Sequence, residues 1–185
     1  MGLVLLGIFA LNTEGMQGAV YQMLAHGLTT GGLFLLVGML YERRHTREFD
    51  QFGGIAHSMP VFAFFFVAVT LGSVGMPGLY GFIGEFLCFL GTFKESPITA
   101  IFAATGLVLG AWYMLLAVRK IFFGKITVGV NADLRDLDSR EISVMVPLLA
   151  MIIIMGVFPV PVLTKMEGSV QAVVDGYMAA IGRAS

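Results

Sequence analysis

Residues 60 to 93 constrain the fold more than any other part of the sequence. This run of 34 residues carries one charge, that of Glu85. As a straight helix rising about 1.5 Å per residue it would reach roughly 50 Å, whereas the hydrocarbon core of a bilayer is about 30 Å thick. Pro77 removes one backbone donor, and Gly75 and Gly78 weaken helix formation beside it. The sequence therefore predicts one membrane-crossing helix over 60-93 that is discontinuous near residues 75 to 78.

Three more charge-free runs have about the length of a membrane span, at residues 15-40, 98-118 and 142-163. The whole chain is 57% hydrophobic and 12% charged, with a mean hydropathy of +0.88. These values predict an all-α, polytopic membrane helix bundle with about four full transmembrane helices. Residues 1-11 are apolar or small but shorter than the roughly 20 residues of a span. They predict a truncated N-terminal helix, in a chain that is a fragment or that starts downstream of the true beginning.

The basic residues are shared unequally between the two sides of this predicted bundle. The loops 41-59 and 119-141 contain eight Lys and Arg residues, whereas the opposite side has Lys94, Lys165 and Arg183. The positive-inside rule then places both loops in the cytoplasm or matrix. We expect a membrane domain over 1-164 and a short non-cytoplasmic tail over 165-185. The tail contains five residues that could form the apolar stripe of an interfacial helix: Val170, Val173, Val174, Tyr177 and Met178. The sequence leaves open whether this helix forms.

Glu85 is the one acidic residue, of 12, that lies within a membrane run. It precedes the polar end of its run at Phe93 by about 12 Å of helix, which places it near the bilayer midplane. A charged carboxylate at that depth costs at least about 2.5 kcal/mol. Protonation, a buried partner or water can offset this cost, and a helix break supplies water when it lines a hydrated cavity.

His26 lies about 16 Å into its own run, close to the same depth as Glu85. An imidazole and a carboxyl both bind and release protons, so two such groups at one level could pass protons sideways in the membrane plane. The alternatives are structural. Glu85 could be a permanently protonated carboxyl bonded to a backbone carbonyl or to Tyr80, and His26 could bond a neighbouring helix, with Thr29 and Thr30 as other candidates.

Several other features have a simpler interpretation. Gly106 and Gly110 predict close helix packing, and Arg43 and its basic neighbours predict topology anchors. The net charge of -1 gives no support for a nucleic-acid partner, and the single cysteine, Cys88, excludes an internal disulfide or a Cys-based metal cluster. No nucleotide-binding glycine loop and no pair of histidines on one span is present, so the sequence shows no redox centre.

The sequence also carries several specific motifs. They are QMLAHGLTTGGLFLLVGMLYERRHTREFDQFGG at 22-54, GMPGLYGFIGEF at 75-86, AWYMLLAVRKIFFG at 111-124 and DLRDLDSRE at 133-141. With them the chain resembles the C-terminal part of the M (chain 4) subunits of the proton-pumping NADH:quinone oxidoreductase, complex I. These belong to the antiporter-like subunits, a family shared with Mrp-type cation/proton antiporters and membrane-bound hydrogenases.

The resemblance implies two inverted repeats with one broken helix each, of which this chain holds the end of the second. Glu85 matches the titratable residue just past the break, which is glutamate in M subunits and lysine in the sister L and N subunits. His26 matches the histidine of the LAHG motif on the polar axis of the membrane arm. These matches imply a relay in which His26 and Glu85 carry protons, while Gly75, Pro77 and Gly78 form the helix break.

The same resemblance implies a proton-translocating subunit of an enzyme in a bacterial inner membrane or the corresponding organelle membrane. It implies no cofactor on this chain, because NADH, FMN, iron-sulfur clusters and quinone belong to partner subunits. The expected partners are the lipid bilayer and the other membrane-arm subunits, above all L and N. Two alternatives stay open: a membrane subunit of an Mrp-type antiporter or membrane-bound hydrogenase, and a scaffold protein whose polar residues only pack helices.

Overall fold

The computed structural model describes residues 1-126 and 129-182, so Arg183, one of the predicted outer basic residues, lies outside the described residues. Within these ranges the chain forms eight α-helices and two short 3-10 turns, Phe49–Gln51 and Gly129–Asp133. The helices are α1 Gly2–Phe9, α2 Thr13–Arg44, α3 Ile55–Ser58, α4 Pro60–Ser73, α5 Tyr80–Glu95, α6 Pro97–Phe122, α7 Ser139–Val157 and α8 Val160–Gly182.

Three of these helices, α2, α6 and α7, are long and apolar enough to cross a membrane. Each begins at a polar cap. The side chains of Asn12 and Ser96 accept hydrogen bonds from the first turns of α2 and α6, and Asp138 forms a reciprocal capping box with Glu141 at the start of α7. The chain is thus a multi-pass integral membrane protein, and the predicted all-α membrane helix bundle is confirmed.

The fourth predicted crossing, over 60-93, is divided between α4 and α5, and residues 74 to 79 between them are not helical. Gly75 and Gly78 have φ values of +72° and +90°, a left-handed backbone that side chains with a Cβ rarely adopt. Pro77 lies between them and has no N–H to continue a helix. The predicted discontinuity is therefore confirmed at the glycine and proline positions that predicted it.

The C-terminal part differs from the expected single run over 142-163. Helix α7 ends at Val157 and α8 starts at Val160, because Pro159 lacks a backbone donor and disfavours helical geometry at Phe158. Helix α8 continues to Gly182, so the expected boundary at 164/165 falls inside one helix.

The apolar stripe expected in the tail is only partly used for packing. Val170 and Val174 are buried, whereas Val173 and Met178 are more than half exposed. Thr13 of α2 donates a hydrogen bond to Gln171, with 2.9 Å between the two side-chain oxygens. Helix α8 therefore lies against the first turn of α2.

Helices α2 and α5 pack closely along a seam of small residues, Gly15, Gly18, Gly84 and Gly91, which we call the glycine seam. Gly91 lies against the backbone of Gly15, and a Cβ added to Gly18 would lie 2.5 Å from the backbone nitrogen of Cys88. Side chains at these positions would push the helices apart. The seam fixes α5, the second half of the broken helix, against α2.

The two long loops meet at one end of the bundle. Lys120 Nζ lies 2.6 Å from Asp50 Oδ1, and this hydrogen bond lowers the pKa of the Asp50 carboxyl. Asn131 donates to the carbonyl of Gln51 at 3.0 Å. Both loops thus lie on the same side, which agrees with a single crossing by residues 60-93.

Arg43 has a more specific role here than that of a topology anchor. Its guanidinium donates to both carboxylate oxygens of Glu141 at 2.8 and 2.6 Å, and also to the carbonyls of Met39, Arg135 and Asp136. We call this arrangement the Arg43 clamp. It joins the end of α2 to the start of α7 with every donor group of the guanidinium engaged on protein oxygens.

Candidate functional site

Glu85 lies in the second turn of α5 and is 6% exposed. Its carboxyl group is folded back onto the helix break. A Cβ added to Gly75 would overlap Oε2 of Glu85 and would lie 2.8 Å from its Cδ. Glycine is thus required at position 75 for two reasons. Its φ is positive, and the carboxyl of Glu85 occupies the space that a side chain would fill. Within the described residues, no hydrogen bond or ion pair reaches this carboxyl.

A cavity of about 470 Å³ borders the carboxyl of Glu85 on one side. It is lined by the start of α1, by Ser73 and Val74 at the break, and by one face of α6 that includes Gly106 and Gly110. A water molecule takes up about 30 Å³ of liquid, so several waters fit beside the carboxyl. The expected close packing at Gly106 and Gly110 is not seen, since an added Cβ would meet nothing within 4 Å at either position in the described structure.

Three further polar atoms near the break are buried and have no hydrogen-bond partner among the described residues: Thr70 Oγ1, Tyr80 Oη and Gln22 Oε1. The ring of Tyr80 packs edge-on against Tyr21, with 4.4 Å between the ring centroids. The expected alternative of a bond from Tyr80 to Glu85 is not formed. Buried polar atoms without protein partners are commonly satisfied by internal water, so these three atoms indicate where water would bind.

His26 is half-buried on α2, and its ring bonds within its own helix. The hydroxyl of Thr30 lies 3.3 Å from Nδ1, whereas the hydroxyl of Thr29 donates to the carbonyl of Ala25 at 2.9 Å. Of the two threonines considered from the sequence, Thr30 is thus the closer partner. His26 and Glu85 lie on two helices packed against each other, and no direct hydrogen bond joins them among the residues that the structure describes.

Gln22 is the polar residue at this site that the sequence interpretation missed. It lies one helical turn before His26 and is 9% exposed. Its amide packs on Gly84, the residue immediately before Glu85. The spacing of Gln22, His26 and Thr30, each four residues apart, puts these groups on one face of α2 and could have identified Gln22.

The chemistry available to these groups is limited to proton exchange and hydrogen bonding. In the part of the chain that the structure describes, no group of three or more His, Cys, Asp and Glu side chains is placed to hold a metal ion. Glu85 can take up or release a proton when water reaches it through the cavity, and His26 can do so on the neighbouring helix. The amide of Gln22 and the hydroxyl of Tyr80, whose oxygens have no hydrogen-bond partner among the described residues, can orient water.

Comparison with known proteins places this site in a family. Residues 1-110 match the family described as NADH:quinone oxidoreductase/Mrp antiporter, TM. The chain is 42% identical over 182 residues to NADH-quinone oxidoreductase subunit M of Rhodobacter capsulatus, covering 98% of this chain and 36% of that relative.

The fold is also similar to solved membrane complexes. A chain of respiratory complex I from Thermus thermophilus with bound NADH matches with a TM-score of 0.88 and 37% identity, covering 94% of this chain and 36% of that one. A chain of the Mrp complex from a Dietzia species matches with a TM-score of 0.80 and covers 94% of this chain and 40% of that one. Its identity of 19% shows a likeness of fold alone.

This chain is much shorter than the relatives that it matches. The chain spans 36% of the length of the Rhodobacter relative. The family match over residues 1-110 includes the broken helix, the glycine seam and the positions of Gln22, His26 and Glu85. The chain belongs to the NADH:quinone oxidoreductase/Mrp antiporter transmembrane family.

Proposed function

We propose that this chain is the C-terminal part of a proton-translocating membrane subunit of an NADH:quinone oxidoreductase. The observation that carries the proposal is the surroundings of Glu85: a buried carboxyl that forms no hydrogen bond or ion pair with the described residues, folded against a helix break and bordered by a cavity. Intramembrane carboxyls in such surroundings are typical of ion and proton pathways. The likeness to subunits named NADH-quinone oxidoreductase subunit M supports the choice of enzyme.

In this proposal Glu85 is the group that binds and releases the proton, and His26 exchanges protons with it across the interface of α2 and α5. The protonation state of Glu85 depends on whether water fills the cavity beside it. The break formed by Gly75, Pro77 and Gly78 keeps the backbone open at this point and makes room for the carboxyl. Electron transfer elsewhere in the complex would drive the cycle through coupling along the membrane arm.

The same proposal specifies the cofactors, partner subunits and membrane location of the chain. No cofactor binds to it, and NADH, FMN, iron-sulfur clusters and quinone belong to partner subunits. Its partners are the lipid bilayer and the other membrane-arm subunits, especially the sister L and N subunits. It lies in a bacterial inner membrane or the corresponding organelle membrane, with loops 41-59 and 119-141 in the cytoplasm or matrix, a membrane domain over 1-164 and a tail over 165-185 outside.

The decisive experiment replaces Glu85 by glutamine in the full-length chain assembled in its complex. We expect Glu85→Gln to abolish NADH-driven proton pumping in proteoliposomes and to lower coupled quinone reduction at least tenfold, because an amide cannot exchange the proton. Glu167→Gln, at an exposed position on α8, is the matched control and should pump normally. Normal pumping by Glu85→Gln would refute the proposed function.

The second candidate is a membrane subunit of an Mrp-type cation/proton antiporter or of a membrane-bound hydrogenase, favoured by the description of the matching family, which also names Mrp antiporters. The two candidates differ in what drives proton movement. Proton uptake that follows an imposed sodium gradient without NADH, and that Glu85→Gln abolishes, would establish the antiporter. Uptake that requires NADH would establish the oxidoreductase.

A further inference from the structure

Gln22 lies on the same helix as His26 and packs against the helix that carries Glu85. It stands on α2, four residues before His26, so the two side chains lie one turn apart on the same helix face. Residues on this face reach α5, because α2 and α5 pack along the glycine seam. The side chain of Gln22 is therefore directed at the helix that carries Glu85.

The contact between Gln22 and α5 is immediate. A Cβ added to Gly84 would lie 2.5 Å from Gln22 Oε1 and 2.8 Å from the backbone nitrogen of Gln22. Since Gly84 directly precedes Glu85, the amide of Gln22 lies against the backbone from which Glu85 projects. The absence of a side chain at position 84 is what allows this approach.

The carbonyl oxygen of this amide lacks a partner. Gln22 Oε1 is fully buried and accepts no hydrogen bond from protein within the described residues. Leaving such an acceptor unsatisfied is destabilising, and a bound water would remove this cost. The same is true of Tyr80 Oη on α5. Two orphaned polar atoms on the packed faces of α2 and α5 thus favour internal water between the helices.

We propose that Gln22 is a positioning residue of the proton path, whose amide holds a water molecule between the imidazole of His26 and the carboxyl of Glu85. This inference rests on the proposed function. In the transfer step an N–H bond of the protonated imidazole breaks and an O–H bond forms on the water. The water passes one of its own protons to the carboxylate, so no electron moves and the amide keeps its protons.

An amide suits this position because it offers an acceptor and two donors, so it can orient a water towards either neighbour. A leucine has a similar volume but no acceptor or donor, whereas a protonated glutamic acid keeps the shape, an acceptor and one donor.

The test uses the full-length chain in its assembled complex, with proton pumping measured per assembled complex in proteoliposomes. We expect Gln22→Leu to lower pumping at least tenfold and Gln22→Glu to keep at least half of it. Thr29→Val is the matched control, because Thr29 is buried on the same helix but bonds within it. This control should pump normally.

The outcomes separate water positioning from packing. If Gln22→Leu pumps normally, or if the leucine and glutamate variants lose pumping equally, the inference is overturned. Loss in the leucine variant together with retention in the glutamate variant supports it, whatever the abundance of the complex. Glu85→Gln run in parallel keeps the two proposals apart: its loss of pumping beside a normal Gln22→Leu would overturn this inference alone, and its normal pumping would overturn the proposed function.

Discussion

Glu141 and Glu85 are buried to almost the same degree, with 5% and 6% of each residue exposed, but their surroundings are opposite. Glu141 receives two hydrogen bonds from Arg43 and one from the backbone of Asp138. Glu85 receives none from the described residues and lies beside a cavity. Burial alone therefore does not identify a functional acid. The neighbours decide whether a carboxyl is fixed as a charge or remains able to change its protonation state.

The difference follows from where each residue lies along the chain. Glu141 is in the first turn of α7, where backbone N–H groups and the last turn of α2 supply donors. Glu85 lies within α5, where the backbone donors are already used by the helix, and its carboxyl faces the irregular backbone of the break at residues 74 to 79. Substitutions at four places test this comparison, from the largest expected effect on stability to the smallest.

Removal of Glu141 should have the largest effect. Glu141→Ala leaves the half-buried guanidinium of Arg43 without its carboxylate, which costs about 1.5 to 3 kcal/mol. We expect a markedly lower dissociation temperature of the solubilised complex and less assembled complex in the membrane. Glu42→Ala, at an exposed position of the same end of α2, is the control. Equal behaviour of the two variants would mean that the Arg43 clamp adds nothing to stability.

Gly75→Ala should have the next largest effect. Comparison with Gly78→Ala shows whether the cause is backbone strain or overlap with Glu85. Both glycines have positive φ, so each substitution costs about 1 to 2 kcal/mol in backbone strain. Only at Gly75 does the new Cβ also overlap Glu85, since nothing lies within 4 Å of a Cβ at Gly78. We expect Gly75→Ala alone to abolish pumping. If both variants pump equally well, contact with Gly75 does not position the carboxyl.

A substitution at Asp136 tests a weaker contact at the end of the bundle where the two long loops meet. Its carboxylate accepts hydrogen bonds from the backbone nitrogens of Val61 and Phe62 at 2.8 and 3.0 Å and so caps the first turn of α4. Asp136→Ala should cost about 1 kcal/mol, measured as a small fall in the dissociation temperature. Asp133→Ala, at an exposed position of the same loop, should leave that temperature unchanged. A fall of equal size in both variants would argue against the cap.

The smallest effect on stability is expected at Glu85 itself. Glu85→Gln removes no hydrogen bond or ion pair of the described structure, so the free energy of unfolding should change by less than about 1 kcal/mol. The same variant is expected to lose proton pumping. A large fall in the dissociation temperature would instead show that Glu85, like Glu141, is held by partners. That result would remove the contrast between the two acids.

The sequence was informative wherever one residue type decides the local backbone. Pro77 between two glycines predicted the break, and the length of residues 60 to 93 required it. The exceptional chemistry of Glu85 was visible because a charge inside an apolar run is expensive and rare. In contrast, Pro159 was overlooked as the end of α7, because the apolar run continued through it to Leu163 and concealed the corner.

Contacts between distant segments could not be predicted in this way. Arg43 and Glu141 are 98 residues apart, and nothing local to either distinguishes a clamp from a topology anchor. Gln22 looks like an ordinary polar residue until α5 is placed against it. Gly106 and Gly110 fit a packing motif, but whether a partner helix lies against them depends on the arrangement of the whole bundle.

The glycine seam has a consequence for how water reaches the site. Because α2 and α5 meet backbone to backbone at Gly15 and Gly91, and nearly so at Gly18, lipid and bulk solvent have no room to enter along that interface. The cavity of about 470 Å³ opens on another side of Glu85, towards α1 and α6. In the described structure, solvent would thus reach the carboxyl from the side of α1 and α6 rather than between α2 and α5.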